Sequence, residues 1–217
     1  MPDQVRHDKR DRITALILAG GRGTRMGGVD KGLQPFNGVP LALHTLRRLQ
    51  QGGGATRIAI NANRNLATYE SFGVPVWPDD MADYAGPLAG FLSGLAHCET
   101  PLLLTVPCDT PLLPLDLLPR LTQALQAHDA DIAMASAPEI DKRGQTQVRA
   151  QPVFCLLRAS LLNSLQQFTA GGGRKIDLWT AQQRTVLVPF NQAGDDVHAF
   201  YNANSLADLR QLESANP

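Results

Sequence analysis

The chain has 217 residues, of which 43% are hydrophobic and 18% charged, and its formal net charge is +0. That is enough apolar material for one packed α/β domain and does not require two. The balanced charge argues against nucleic acid or an anionic membrane as a partner held mainly by electrostatics.

Residues 1–12 are polar and of mixed charge, with no apolar signal region. No apolar run approaches the ~20 residues that span a bilayer. The expectation is a flexible tail at 1–12, then a single domain at 13–217, in a cytoplasmic protein. Cys98, Cys108 and Cys155 are scattered, form no CxxC pair, and read as packing thiols in a reducing compartment.

Ile13 to Leu18 (ITALIL) is a short, continuous apolar run, the pattern of a strand buried on both faces of a parallel sheet. Pro40 then opens a helix over 41–50, with Leu43, Leu46 and Leu49 spaced by three, and the glycines at 52–54 end it. The alternation continues with a strand at 56–60, a short helix at 66–72, a strand at 74–77, a helix at 86–97 and an apolar strand at 101–106. A helix at 116–128 tolerates Pro119 in its first turn. Beyond it, strands are expected at 131–134, 148–157, 185–188 and 197–200, and helices at 159–168, 177–181 and 205–212. The polar loop 138–147 has no pattern that places it. Alternating strands and helices predict a single Rossmann-like α/β domain with a mainly parallel sheet flanked by helices. The simplest division is a catalytic N-terminal half, about 13–135, and a substrate-shaping C-terminal half, about 136–217.

The first strand runs into Leu18-Ala19-Gly20-Gly21-Arg22-Gly23-Thr24-Arg25-Met26-Gly27-Gly28-Val29-Asp30-Lys31. Glycines let backbone N–H groups approach an oligophosphate, and Arg25 and Lys31 supply positive charge. The segment is neither a Walker A loop nor an intact dinucleotide fingerprint, since no Gly-Lys-Ser/Thr follows and Met26 stands where a third glycine belongs. Asp109 follows the strand at 101–106, at the end where α/β sheets bind ligands, and is the candidate Mg²⁺ ligand. Either Asp79 or Asp80 is placed to accept hydrogen bonds from a base edge or ribose. Asn61 and Asn63 can donate and accept, as can Asn202 and Asn204 near the end of the chain. Cys108, next to Asp109, has no visible His or Cys partner. The histidines show no motif spacing.

Taken together, these motifs resemble the bacterial molybdenum cofactor guanylyltransferase family, over about 13–209. The blocks are Leu18-Ala19-Gly20-Gly21, Arg25-Met26-Gly27-Gly28-Val29-Asp30-Lys31-Gly32, Asn61-Ala62-Asn63-Arg64, Asp83-Tyr84-Ala85-Gly86-Pro87-Leu88-Ala89-Gly90, Pro107-Cys108-Asp109-Thr110-Pro111 and Asn202-Ala203-Asn204-Ser205. The first is shared widely among nucleotidyltransferases; the others in one chain are far more specific. The resemblance implies that GTP and molybdopterin yield the guanine dinucleotide cofactor and pyrophosphate. It implies a nucleotide site of Leu18, Ala19, Gly20, Gly21, Lys31, Asn61, Asp79 and Asp109, with Asp109 holding Mg²⁺ or Mn²⁺, and so chooses Asp79 over Asp80. Lys31, Arg25 and Asp109 carry the catalytic expectation; Asn202 and Asn204 are assigned to the acceptor. Cofactor-delivery proteins are a further class of partner. The rivals are a cytidylyltransferase on the same pterin, another small-molecule nucleotidyltransferase, and a non-catalytic nucleotide-binding or chaperone module.

Overall fold

The computed structural model describes residues 12–21, 29–79, 86–140, 144–203 and 206–215. Its strands are β1 (Ile13–Leu18), β2 (Pro35–Phe36), β3 (Val39–Pro40), β4 (Arg57–Asn61), β5 (Val76–Trp77), β6 (Leu102–Pro107), β7 (Ile132–Ile140), β8 (Thr146–Arg158) and β9 (Thr185–Pro189). The α-helices are α1 (Leu41–Gly52), α2 (Leu66–Glu70), α3 (Pro87–His97), α4 (Leu117–Ala127), α5 (Leu162–Ala170), α6 (Ile176–Thr180) and α7 (Leu206–Ala215). A seven-stranded sheet runs β5-β4-β1-β6-β8-β7-β9, and β2 and β3 form a separate hairpin. Within the large sheet β1 pairs in parallel with β4 and β6, β4 with β5, and β7 with β9; only β8 runs antiparallel to its neighbours, β6 and β7. The mainly parallel α/β sheet expected from the sequence is present.

The apolar runs are continuous because both faces of the central strands are covered. Ile13, Ala15 and Ile17 of β1, with Leu102, Leu104 and Val106 of β6, pack against Leu46 and Leu49 of α1 and Leu117, Leu121 and Leu125 of α4. The alternate residues Leu16 and Leu103 point into a second core with Leu88, Phe91, Leu92 and Leu95 of α3, Leu165 of α5 and Trp179 of α6. Each fully buried large side chain contributes about 1.5–3 kcal/mol as an upper figure. Close approach sets residue size here: a Cβ on Gly94 of α3 would sit 2.4 Å from Leu16 Cδ2. A third cluster joins Phe36 and Leu41 to Ala203, Leu209 and Leu212, so α7 closes over the β2–β3 hairpin.

Several expectations need correction. Residues 197–200 form a turn, not a strand: Ala199 N donates to Asp196 O and Tyr201 N to His198 O, while Phe200 packs edge-on against Phe154 and Phe190. Of the unplaced segment 138–147, residues 138–140 and 146–147 pair in the β7–β8 ladder, which makes β7 far longer than 131–134, and 141–143 lie outside the described residues. β5 begins at Val76 rather than 74, and the helix expected at 159–168 starts as a 3-10 turn over Ala159–Leu161. The β2–β3 hairpin was missed; its turn, Asn37-Gly38, has φ of 47° and 76°, the positive values that a two-residue hairpin turn demands. Among the described residues no helix is long and apolar enough to cross a membrane.

Candidate active site

The chain leaves β1 toward β4 on one side, and later leaves β6 by way of α4 toward β7 on the other. Between two neighbouring strands whose connections diverge, the loops at their carboxyl ends splay apart and open a crevice. A cleft of about 490 Å³ lies there. Leu18, Ala19, Gly20 and Gly21 line it from the end of β1, Asn61 from β4, Asp79 from beyond β5, and Pro107, Cys108 and Asp109 from the end of β6. Lys31, Gly86, Pro87 and Asn202 complete that part of the wall, and Gln151, Val153 and Phe154 line it from β8. Lys31 Nζ donates to Asp109 Oδ2 at 3.2 Å, joining residues 78 apart in sequence.

On the β4 side a polar network fixes Asp79. Asn61 Nδ2 donates to Asp79 Oδ1 (2.8 Å) and to Trp77 O (2.9 Å), and Asn63 Nδ2 donates to Asp79 Oδ2 (2.6 Å). Asp79 N donates back to Asn63 Oδ1 at 2.7 Å. The network needs glycine around it: a Cβ on Gly20 would sit 2.9 Å from both Asn61 Oδ1 and Asn63 Nδ2, and one on Gly90 would sit 2.6 Å from Asn61 Oδ1. Both Asn61 Nδ2 hydrogens are committed to Trp77 O and Asp79 Oδ1, and both of Asn63's to Gly20 O and Asp79 Oδ2, so what the network has left to offer is acceptor oxygen, suited to the N–H groups of a base or the hydroxyls of a ribose.

Lys31 begins a 3-10 turn whose N-cap is Asp30, with Asp30 Oδ1 accepting from Gly32 N. Tyr69 OH donates to the same oxygen at 2.6 Å, and Asn65 Nδ2 to Oδ2 at 3.0 Å. Burial above all, with the neighbouring Asp30 carboxylate, holds the Tyr69 phenol well above its ordinary pKa, so it stays a donor. Asp30 is thus a buttress that sets the base of Lys31.

Cys108 is buried in the first core cluster, and burial foremost, then Asp109, pushes its thiol well above the ordinary range. It packs against the core, and burial favours the neutral thiol. Thr110 Oγ1 donates to Asn202 Oδ1 (3.0 Å) and Ala203 N donates to Asp109 O (2.9 Å), so the end of the chain is stitched to the Asp109 loop. His44 and His97 serve structure: Nε2 of His44 bonds Phe36 O, and the His97 ring stacks on Trp77. Arg25, Asp80 and Asn204 lie outside the described residues. Sequence reasoning missed Gln151, Val153 and Phe154; Pro152, a proline inside a strand pattern, was the signal for an irregularity there.

Magnesium fits this donor set as a shared ion rather than a caged one. It is commonly held by one or two carboxylates, substrate phosphates and several waters. Lys31 takes one oxygen of Asp109 and leaves the other, and among the described residues no group of three or more His, Cys, Asp or Glu side chains could hold a metal.

Known proteins resemble this chain throughout. A family model described as the MobA-like NTP transferase domain matches residues 15–186. The molybdenum cofactor guanylyltransferase of Albidiferax ferrireducens is 71% identical over 205 residues, covering 94% of this chain and 97% of that protein. The protein of the same name from Methylibium petroleiphilum is 60% identical over 205 residues, covering 94% and 97%. The crystal structure of molybdopterin-guanine dinucleotide biosynthesis protein A from Archaeoglobus fulgidus superposes with a TM-score of 0.72 at 19% identity, covering 93% of this chain and 97% of that one. The 4-diphosphocytidyl-2C-methyl-D-erythritol synthase of Anaerococcus prevotii gives 0.73 at 12% identity, covering 96% and 99%; at these identities the two structures speak for the fold alone.

Proposed function

This chain belongs to the MobA-like NTP transferase family, and from that premise we propose that it transfers the guanylyl group of GTP to the terminal phosphate of molybdopterin, forming the guanine dinucleotide cofactor and releasing pyrophosphate. The observation that carries the reading is the Lys31–Asp109 pair standing in one cleft with the Asn61–Asp79 network. The relatives' name supplies the guanylyl group and the cofactor.

In this reading the nucleoside binds toward Asn61, Asn63 and Asp79, and the phosphates follow Ala19, Gly20 and Gly21 toward Lys31. The acceptor phosphate oxygen attacks the α-phosphorus, the bond to the bridging oxygen breaks, and pyrophosphate departs. A phosphate monoester dianion is already a nucleophile, so the chain's task is positioning and charge neutralisation rather than base catalysis. Lys31, with Arg25 as its proposed companion, balances charge growing on the leaving pyrophosphate. Magnesium or manganese, held by Asp109 and substrate oxygens, would supply a Lewis acid at the α-phosphate. Asn202 and Asn204 are assigned to the acceptor. Residues about 13–135 then serve the nucleotide and about 136–217 the acceptor. A cytoplasmic setting, where Cys98, Cys108 and Cys155 remain free thiols, and hand-over of the pterin by delivery proteins belong to the same proposal.

The test is pyrophosphate release with molybdopterin and each NTP in turn. GTP alone should support turnover. CTP matching or exceeding it moves the assignment to the cytidylyl rival, and binding without turnover moves it to a non-catalytic module.

A further inference from the structure

The β7–β8 ladder breaks beside the cleft. Met134 pairs with Cys155 and Ser136 with Ala150, so Ala135 alone opposes residues 151–154 of β8. Such bulges redirect side chains and cluster near active sites. This one is internally secured: the buried Thr105 hydroxyl donates to Val153 O at 2.9 Å, and Cys155 Sγ to Pro152 O at 3.1 Å. Three of its residues, Gln151, Val153 and Phe154, line the cleft.

Gln151 is 7% exposed, and its Nε2 donates to Glu139 Oε1 at 2.7 Å. An ionised carboxylate only accepts, so the amide has one allowed orientation, with nitrogen toward Glu139. Its Oε1 is then the free end. Since no buried side-chain polar atom lacks a partner among the described residues, that oxygen keeps some solvent access, on a residue that lines the cleft. Arg149 Nε, 3.9 Å from Glu139 Oε2, faces the carboxylate from its other oxygen.

The sheet order says which substrate meets it. From β4, which carries Asn61, to β8 there are three strand spacings, on the order of 14 Å. The Lys31–Asp109 pair lies between, at the end of β6. A nucleotide anchored near Asn61 with its α-phosphate near Asp109 leaves the β8 side to the molecule that attacks it. We propose that the bulge at 151–154 recognises the acceptor, with the Gln151 side-chain carbonyl taking a hydrogen bond from an N–H of the pterin and Glu139 as the positioning residue that locks the amide. This rests on the guanylyl-transfer reading above.

The experiment compares wild type with Gln151→Leu, Glu139→Gln and Glu139→Lys. Calorimetric titration with molybdopterin and, separately, with GTP is combined with steady-state pyrophosphate release. Gln151→Leu should raise the Kd and KM for molybdopterin about tenfold, the worth of one neutral hydrogen bond, with kcat and the GTP Kd within about twofold. Glu139→Lys, a donor in place of an acceptor, should turn the amide round and produce the same loss. Glu139→Gln should stay near wild type, because its amide oxygen can still accept. If Gln151→Leu does not fold, Glu139→Lys at its half-exposed site carries the test. Unchanged molybdopterin affinity in these two variants, or equal loss of GTP affinity, overturns the assignment while wild-type turnover keeps the guanylyl-transfer reading. A wild type that does not bind molybdopterin overturns both.

Discussion

Gly90→Ala is a one-carbon test of the proposed nucleotide site. The added Cβ would stand 2.6 Å from Asn61 Oδ1 and 2.6 Å from Leu18 Cδ2, where ordinary contact begins at 3.4 Å. Leu18 can rotate its methyl away. The Asn61 amide is tethered through Nδ2 to Trp77 O and Asp79 Oδ1, so a retreat of about 0.8 Å strains both bonds. Misplacement of about 1 Å in a binding constellation costs up to ~100-fold in rate, and GTP affinity should fall at least tenfold. Stability should change less: alanine favours the helix by ~1 kcal/mol, which offsets part of an overpacking cost of ~1–3 kcal/mol. Gly94→Ala, on the same helix, is the control. Its Cβ meets Leu16 Cδ2 at 2.4 Å and Leu103 Cδ2 at 3.0 Å, all inside the apolar core. It should lower the melting temperature and leave GTP binding alone. Calorimetric titration with GTP and thermal melts of the three proteins decide the matter. Wild-type GTP affinity in Gly90→Ala, or equal affinity loss in both variants, would refute the role given to Asn61.

Asp109→Asn keeps the side chain's shape and removes its charge; turnover should fall by at least ~100-fold with the melting temperature nearly unchanged, and higher magnesium should restore part of it. Near-normal pyrophosphate release from the folded variant would make Asp109 a turn residue only. Arg184→Gln probes acid stability: hydrogen bonds from Arg184 hold the Asp131 carboxyl below its ordinary pKa. A depressed folded-state pKa gives stability that is present above the unfolded value, ~3.9, and is lost as pH falls through the folded one. The variant should therefore melt below wild type at pH 7, and the gap should narrow as pH falls below about 4. A gap that does not narrow in acid would assign the effect to packing.

The parts of this fold that could be read from residues are those buried on both faces. β1 and β6 advertise themselves because helices on either side leave no polar position in the run. The inner parts of β7 and β8 were legible at 131–134 and 148–157, but the outer ladder that carries β7 on to Ile140 was not, since residues 146–150 opposite it are exposed and carry no apolar alternation. Val197, Ala199 and Phe200 looked like a strand, but Val197 is 71% exposed and the two others anchor a turn. In the site, Lys31 and Asp109 were each visible by chemistry and by position after a strand, yet their meeting depends on β1 and β6 being neighbours, which local pattern does not encode. Gln151 was hidden for the same reason: its role comes from a register break between two strands.

The stitching of Thr110 to Asn202, 92 residues apart, and of Ala203 to the Asp109 carbonyl sets an order of events during synthesis. The strands that carry Asn61 and Asp109 can pair with β1 once the chain has passed residue 109, but the cleft lacks its last wall until residues 202 and 203 arrive. Contacts this distant in sequence form late, because loop-closure entropy must be overcome first. A nascent chain can thus assemble its first sheet strands well before its cleft is complete, and the helix that seals the β2–β3 hairpin emerges later still, after residues 202 and 203.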